Sequence, residues 1–238
     1  MLHGPTLLFA CPACGGHGRQ RTLGSGDTRG AVLWSDGYCH APMLAEISPL
    51  VQCAHCEHLF WLEDEKCLGQ VSAGDVWARA QGSSKDSANA SRAFLHIDRL
   101  EVALKATSTG CWRSEEEELY VRKRLWWRQN DSTRAVLGQT SPTPKADPTL
   151  PLAAPSANTP PSQEYLDNLA ALAALIPAQS PSDRVMSCEI ARESGRFDDA
   201  RAMCAGLLGQ VEDDWIKKVI NEIHDRARAS DRRVFTLN

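Results

Sequence analysis

Two four-residue stretches carry the residues best suited to chemistry: Cys-Pro-Ala-Cys at 11–14 and Cys-Ala-His-Cys at 53–56. A Cys-x-x-Cys pair serves either as a redox dithiol or as half of a metal site. The redox use needs a helix starting at the pair, because the positive helix N-terminus stabilises the reactive thiolate. Residues 15–30 hold six glycines (Gly15, Gly16, Gly18, Gly24, Gly26, Gly30), and such a run does not form a helix. Haem attachment needs His directly after the second Cys, where Gly15 and Glu57 stand instead. The remaining reading is tetrahedral metal coordination by Cys11, Cys14, Cys53 and Cys56. Each two-residue spacer lets both sulfurs of one tight turn face a common point, and four thiolates close the shell of a structural Zn²⁺. Gly15 meets the turn's need for a positive φ.

Neighbouring ligand types compete for the fourth position. Cys39 and His40 lie between the pairs, His55 lies inside the second, His58 just after it, and His17 and Cys67 flank the set. The two Cys pairs already complete a tetrahedron. Cys39 is therefore expected to pack as a small apolar residue and the histidines to lie at the surface.

The elements that must position these cysteines are short and extended. Leu7–Ala10 lead into the first turn, Pro49–Gln52 lead into the second, and His58–Leu62 lead out of it. The stretch AVLW-SDG-YCHAPML (31–44) reads as a hairpin turning at Asp36-Gly37, with Trp34, Tyr38, Phe60 and Trp61 available to cover a small sheet. The expected result is a β-rich zinc ribbon over residues 1–70, too small to hold itself together without its metal.

The stretch DTRGAVLWSDGYCHAPMLAEISPLVQCAHCEHLFWLED, framed by CPACG, resembles the N-terminal zinc ribbon of a group of uncharacterised bacterial proteins. In these a Trp-Ser-Asp-Gly turn and a Pro-Met-Leu segment lie between the Cys pairs. The resemblance covers about the first quarter of the chain and implies a fold rather than an activity.

Residues 71–137 read as a helical middle segment, with a loop or short helix at 71–82 and a polar loop at 82–91. Residues 94–106 become helical in their second half, with Leu100, Ala103 and Leu104 on one face. SEEEELYVRKRLWWRQND (114–131) predicts a helix capped by Ser114, acidic where the helix dipole is positive and basic toward its other end. Its RKRLWWR segment has the composition of a basic-aromatic surface for RNA or single-stranded DNA. The preferred reading is a core helix with a solvated basic face.

Residues 138–162 hold seven prolines and few large apolar groups, which predicts a semi-extended linker. Beyond it, 163–230 reads as an all-α unit, with helical patterns over 162–176, 180–194, 197–208 and 212–229. EIARESGRFDDARAMCAGLL (189–208) resembles one helix-turn-helix of the tetratricopeptide family, with Gly195 at the turn and Ala200 at a close helix–helix approach. A single such hairpin cannot bury its own face, so the helices on either side should pack against it. Cys188 and Cys204 are expected to be core thiols.

The class expected is thus α+β: zinc ribbon, helical middle, proline-rich linker, tetratricopeptide-like helices. The 238 residues carry a net charge of −4, and the first 70 hold four basic against seven acidic side chains. A zinc tetrathiolate adds two further negative charges, so phosphate binding by the ribbon is disfavoured. No apolar run reaches the ~20 residues of a membrane span and no secretory leader is apparent, so a reducing, cytoplasmic setting is expected. No nucleophile elbow, phosphate loop or His-Glu-x-x-His motif occurs. The expected role is a non-enzymatic adaptor with an unidentified protein partner. The alternatives are a nucleic-acid-associated ribbon factor and a thiol or zinc redox sensor.

Overall fold

The computed structural model describes residues 2–44, 47–71, 92–136 and 160–237. The architecture is mixed α+β: short sheets come first, and seven α-helices among the described residues follow. The chain forms two compact units. One comprises Met1–Ala31 with Ala41–Arg113, the other Val32–His40 with Ser114–Asn238.

The first unit is built on two hairpins. β1 (Leu2–Ala10) pairs antiparallel with β2 (His17–Ser25), in register from Ala10 opposite His17 to Thr6 opposite Arg21. β5 (Leu50–Gln52) pairs antiparallel with β6 (Leu59–Trp61), placing Gln52 opposite Leu59. β7 (Gly69–Val71) and β8 (Arg92–Ala93) flank the first hairpin, and β9 (Leu95–His96) pairs with β5. Inward side chains of the two hairpins, Phe9, Cys11, Val51, Cys53 and Phe60, make one core with Leu62 and Phe94. Phe94 meets Phe60 edge-on at 5.3 Å and lies over Gly18, where a Cβ would fall 1.9 Å from the Phe94 ring. Gly18 is therefore set by a close approach to an aromatic ring, which excludes any side chain. Helix α1 (Leu100–Thr109) ends at Gly110 in the left-handed region. Its buried residues are Val102, Ala103 and Ala106, whereas Leu100 is 42 % exposed. This corrects the face expected from Leu100, Ala103 and Leu104.

The hairpin expected between the Cys pairs is present as β3 (Val32–Trp34) and β4 (Cys39–His40), turning through Ser35, Asp36 and Gly37 with Gly37 at φ +78°. It belongs to the second unit, however, and not with the four cysteines as 1–70 implied. The cause is non-local. β10 (Thr236–Leu237) takes the free edge of β3, Ser35 N–H donates to the Phe235 carbonyl, and Trp34, Tyr38 and Val234 form a core cluster with Trp127 packed against it.

The rest of the second unit is helical. α2 (Glu115–Gln129) starts where Ser114 Oγ accepts from Glu117 N–H, with four glutamates in its first turn. A short α3 (Asp131–Val136) follows. α4 (Gln163–Leu175) is capped by Ser162, and α5 (Pro181–Glu193) begins with a Ser180–Asp183 capping box and Pro181. α6 (Phe197–Leu208) and α7 (Asp214–Arg228) complete the set. α5, α6 and α7 pack on one another, while α4 packs on α2 and touches α5. Ala200 meets Ala191 and Ala227 at a close helix crossing, and Cys188 and Cys204 are buried as expected.

The basic face of α2 is not solvated. Arg124 and Arg128 are buried along with Trp126. Arg124 stacks on Tyr120 at 4.8 Å and Trp127 at 5.0 Å, and Arg128 on Tyr38 at 4.9 Å. Desolvation, reinforced by the Arg128 charge, pulls Arg124 down to about 10. The predicted loops at 71–82 and 82–91 and the 138–162 linker fall almost wholly outside the described residues. Of the linker, Pro160–Ser162 are described and lead into α4.

Candidate metal centre

The four cysteines occupy the tips of the two hairpins. Cys11 and Cys14 lie between β1 and β2, Cys53 and Cys56 between β5 and β6. The tips are built alike. Cys11 N–H donates to Gly16 O (2.9 Å) and Gly15 N–H to Cys11 O (2.8 Å); Cys53 N–H donates to His58 O (2.8 Å) and Glu57 N–H to Cys53 O (2.9 Å). Each tip then needs a left-handed residue right after its second cysteine. Gly15 supplies φ +69° at no steric cost, and Glu57 adopts φ +59° in the equivalent place. Lys105 of α1 holds Glu57 there, donating to its backbone carbonyl (2.8 Å) and its carboxylate (3.1 Å). Gln52 Nε2 donates to the same carbonyl at 3.2 Å. Reading the tips as equivalents, Cys-Pro-Ala-Cys-Gly against Cys-Ala-His-Cys-Glu, is the sequence signal that would have singled out Glu57.

The sulfur atoms of Cys11, Cys14, Cys53 and Cys56 all lie within 4.8 Å of one another. Cys11 Sγ is 3.7 Å from Cys56 Sγ and Cys14 Sγ is 3.8 Å from Cys53 Sγ. A tetrahedron with Zn–S bonds of about 2.3 Å has edges of about 3.8 Å, so the set fits a tetrahedral thiolate-bound ion. Backbone N–H groups already point at the sulfurs: Gly16 at Cys14 and His55 at Cys53, both 3.4 Å. Such donors favour the thiolate over the thiol. Without an ion, burial pushes the Cys11 thiol up to about 12. The backbone hydrogen bond from His58 holds Cys56 below the ordinary thiol range. An ion would replace the thiol protons, and metal affinity should fall with falling pH accordingly.

The competing ligands stand elsewhere. The His55 ring packs on Gly16 and its Nε2 lies 3.4 Å from the His17 carbonyl, while the His58 ring stacks on Phe60. Cys67 donates to Gly69 O, and Cys39 and His40 form β4 of the other unit. Among the described residues, the four cysteines alone make a metal-binding group. Comparison with protein-family models, curated proteins and solved structures returned no match.

Sequence reasoning missed a second polar cluster, in the other unit. Asp36 is fully buried and accepts from Tyr38 N–H (3.1 Å), from Asn130 Nδ2 (3.0 Å) and from the Arg134 guanidinium, which also reaches Asp131 at 2.9 Å. The Arg134 guanidinium lies over Tyr38 at 4.4 Å. Buried Glu193 Oε2 accepts from Trp126 Nε1 (2.8 Å), Asn130 Nδ2 (3.0 Å) and the Tyr165 hydroxyl. Burial first, and then the Glu189 charge one helical turn away, hold the Glu193 carboxyl well above the usual carboxylate range. Asn130 thus donates to two carboxylates and joins both ends of the cluster. An apolar trough of about 140 Å³ lies in the same unit, lined by Trp34, Val185, Met186, Ile216 and Leu237 and by Trp215, which is 48 % exposed.

Proposed function

We propose that this chain is a zinc-stabilised, non-enzymatic adaptor of the cytoplasm. The observation that carries the reading is the four-thiol set at the hairpin tips. With all four positions of a tetrahedral ion filled by sulfur, none remains for a water to be activated, so the ion's contribution is cross-linking rather than catalysis. In support of an adaptor role, the helical unit offers an apolar trough beside a half-exposed tryptophan. Its α5–α6 pair is the segment that resembles a tetratricopeptide hairpin, a motif used to hold peptides or helices. The nucleic-acid alternative drew on the 122–128 segment, and Arg124, Trp126 and Arg128 are buried there, away from any base or phosphate. In keeping with a non-membrane setting, no described helix is long and apolar enough to cross a bilayer.

The test is metal analysis of the full chain, followed by capture from native extract with and without nuclease. The expected result is one zinc per chain and a protein partner that survives nuclease and is lost in Trp215→Ala. A chain that takes up no zinc, or retention abolished by nuclease, would overturn the reading.

A further inference from the structure

The four sulfurs are not equivalent. Cys11 and Cys53 are buried at 1 % and 0 % exposure, whereas Cys14 and Cys56 are exposed. The contacts Cys14–Cys53 at 3.8 Å and Cys11–Cys56 at 3.7 Å each join the two hairpins, and each joins one exposed sulfur to one buried sulfur. Oxidation of a thiolate pair needs both features: an outer sulfur that an oxidant can reach and a second sulfur close enough to resolve the product.

We propose that the cluster is a hydroperoxide-oxidisable switch in which Cys14 and Cys56 are attacked and Cys53 and Cys11 resolve them, so that disulfides between the hairpins replace the metal. The proposal rests on the zinc reading above. A hydroperoxide passes its outer oxygen to the Cys14 thiolate: the O–O bond breaks, an S–O bond forms, and the departing alkoxide takes a proton from water. The Cys53 thiolate then attacks the Cys14 sulfur, forming the S–S bond and expelling hydroxide, which is also protonated. Two thiolates, one hydroperoxide and two protons give one disulfide, one alcohol and one water, the sulfurs losing two electrons. The same sequence at Cys56 and Cys11 consumes a second hydroperoxide. Zinc, left with two ligands and then none, departs.

Each pair has to close from its present separation to about 2.05 Å, a movement of under 2 Å. The new bonds span the same two tips that the metal spanned. Residues 11–14 and 53–56 therefore stay tied, where disulfides within each Cys-x-x-Cys would leave the hairpins unconnected. The oxidised form keeps the first unit folded without its ion. That separates this switch from one that works by unfolding.

The experiment treats zinc-loaded full-length chain with hydrogen peroxide at one and two equivalents per zinc. Zinc release is followed with a chromogenic chelator, and connectivity by tryptic mapping without reduction. Cleavage leaves Cys11 and Cys14 on the peptide ending at Arg19, and Cys39, Cys53 and Cys56 on the peptide 30–66; fragmentation of the joined peptides assigns which cysteines are bonded. Cross-hairpin bonds join these peptides; bonds within a hairpin leave them separate. The expected result is near-complete zinc loss at two equivalents, joined peptides pairing Cys14 with Cys53 and Cys11 with Cys56, retained amide protection in β1, β2, β5 and β6, and reversal by a dithiol plus zinc. Separate peptides, sulfinic acid at Cys14 or Cys56 without disulfide, or oxidation of exposed Cys39 and Cys67 while zinc is retained would each overturn the proposal. The zinc content before oxidant distinguishes the failures: a chain without zinc defeats the metal reading as well, whereas a zinc-loaded chain that fails the oxidation defeats the switch alone.

Discussion

Replacing Asp36 with alanine tests whether the buried cluster of the second unit is what ties its first hairpin to its helices. Asp36 has no solvent exposure and Arg134 only 2 %. Removing the carboxylate strips an acceptor from Arg134, from Asn130 Nδ2 and from Tyr38 N–H at once. Breaking a buried ion pair by deleting one partner costs about 3–5 kcal/mol, because the other charge stays buried. Here Arg134 keeps Asp131 at 2.9 Å and the Trp127 carbonyl at 2.5 Å, so the lower half of that range applies. The expected loss is about 3–4 kcal/mol, a fall in Tm of the order of 10 °C or more for a unit of this size. The partner change, Arg134→Met, should cost a similar amount. The double variant Asp36→Ala/Arg134→Met should cost less than the sum by at least about 2 kcal/mol, since it leaves no orphaned charge. Urea unfolding followed by hydrogen exchange in peptides of α2 and β10 measures this within the second unit. A single-variant cost below about 1 kcal/mol, or strictly additive costs in the double variant, would refute the reasoning.

Further outcomes are open to measurement. A strong chelator should unfold the first unit, because a structural zinc contributes about 10–16 kcal/mol of apparent binding energy at neutral pH; Trp61 and Trp112 should change environment while amides of α5–α7 stay protected. Gly18→Ala should destabilise the first unit by about 1–3 kcal/mol through collision with Phe94, and Phe94→Leu should recover part of that loss in a thermal melt. Glu193 binds its proton more tightly folded than unfolded, so its contribution is present below the ordinary glutamate range and is lost as pH rises through the elevated folded value. Glu189 and Arg192 on its own helix, Asp36 on the hairpin, and Asn130 and Tyr165 on α2's C-terminal cap and α4 all face this cluster. Glu193→Gln should therefore flatten the fall in second-unit stability as pH rises above the ordinary glutamate range, as read from urea midpoints at several pH values. Glu57→Gly should raise the stability of the zinc-loaded first unit by about 0.5–1 kcal/mol, relief of the left-handed strain outweighing the loss of an exposed ion pair with Lys105.

The four-cysteine cluster was legible because its information is local. Cys spacing and the glycine after Cys14 fix two tight turns, and the flanking apolar residues mark the strands that bring the turns together. Helices α2 and α4–α7 were legible for the same reason, through Ser114 as the cap of α2, Gly195 as the stop of α5 and the apolar periodicity of the set. What escaped was carried by pairings distant in sequence. The hairpin around Asp36 has the local pattern of ribbon strands, and only its partners Asn130, Arg134, Val234 and Phe235 reveal which core it joins. Likewise Arg124 and Arg128 look solvated in any helical projection. Arg128 is covered by Tyr38, 90 positions earlier, which offers a ring face that the sequence does not connect to α2.

The pairing of Thr236 and Leu237 with Trp34 and Leu33 has a consequence for synthesis. As the chain leaves the ribosome, the pieces of the first unit are all present once Arg113 has emerged, and its two hairpins can pair from that moment. Residues 32–40 then gain Arg134 after about twenty further additions but must wait through more than a hundred before Val234 and β10 exist to receive them. During that interval Trp34 and the unpaired edge of β3 are an exposed apolar surface, the kind that recruits chaperones and seeds misassembly. The helical unit is thus completed last and from both sides of the chain, so its folding rate is set by the closure of a loop of about two hundred residues. Expression yield should accordingly be more sensitive to changes at 234–237 than the small area of β10 would suggest.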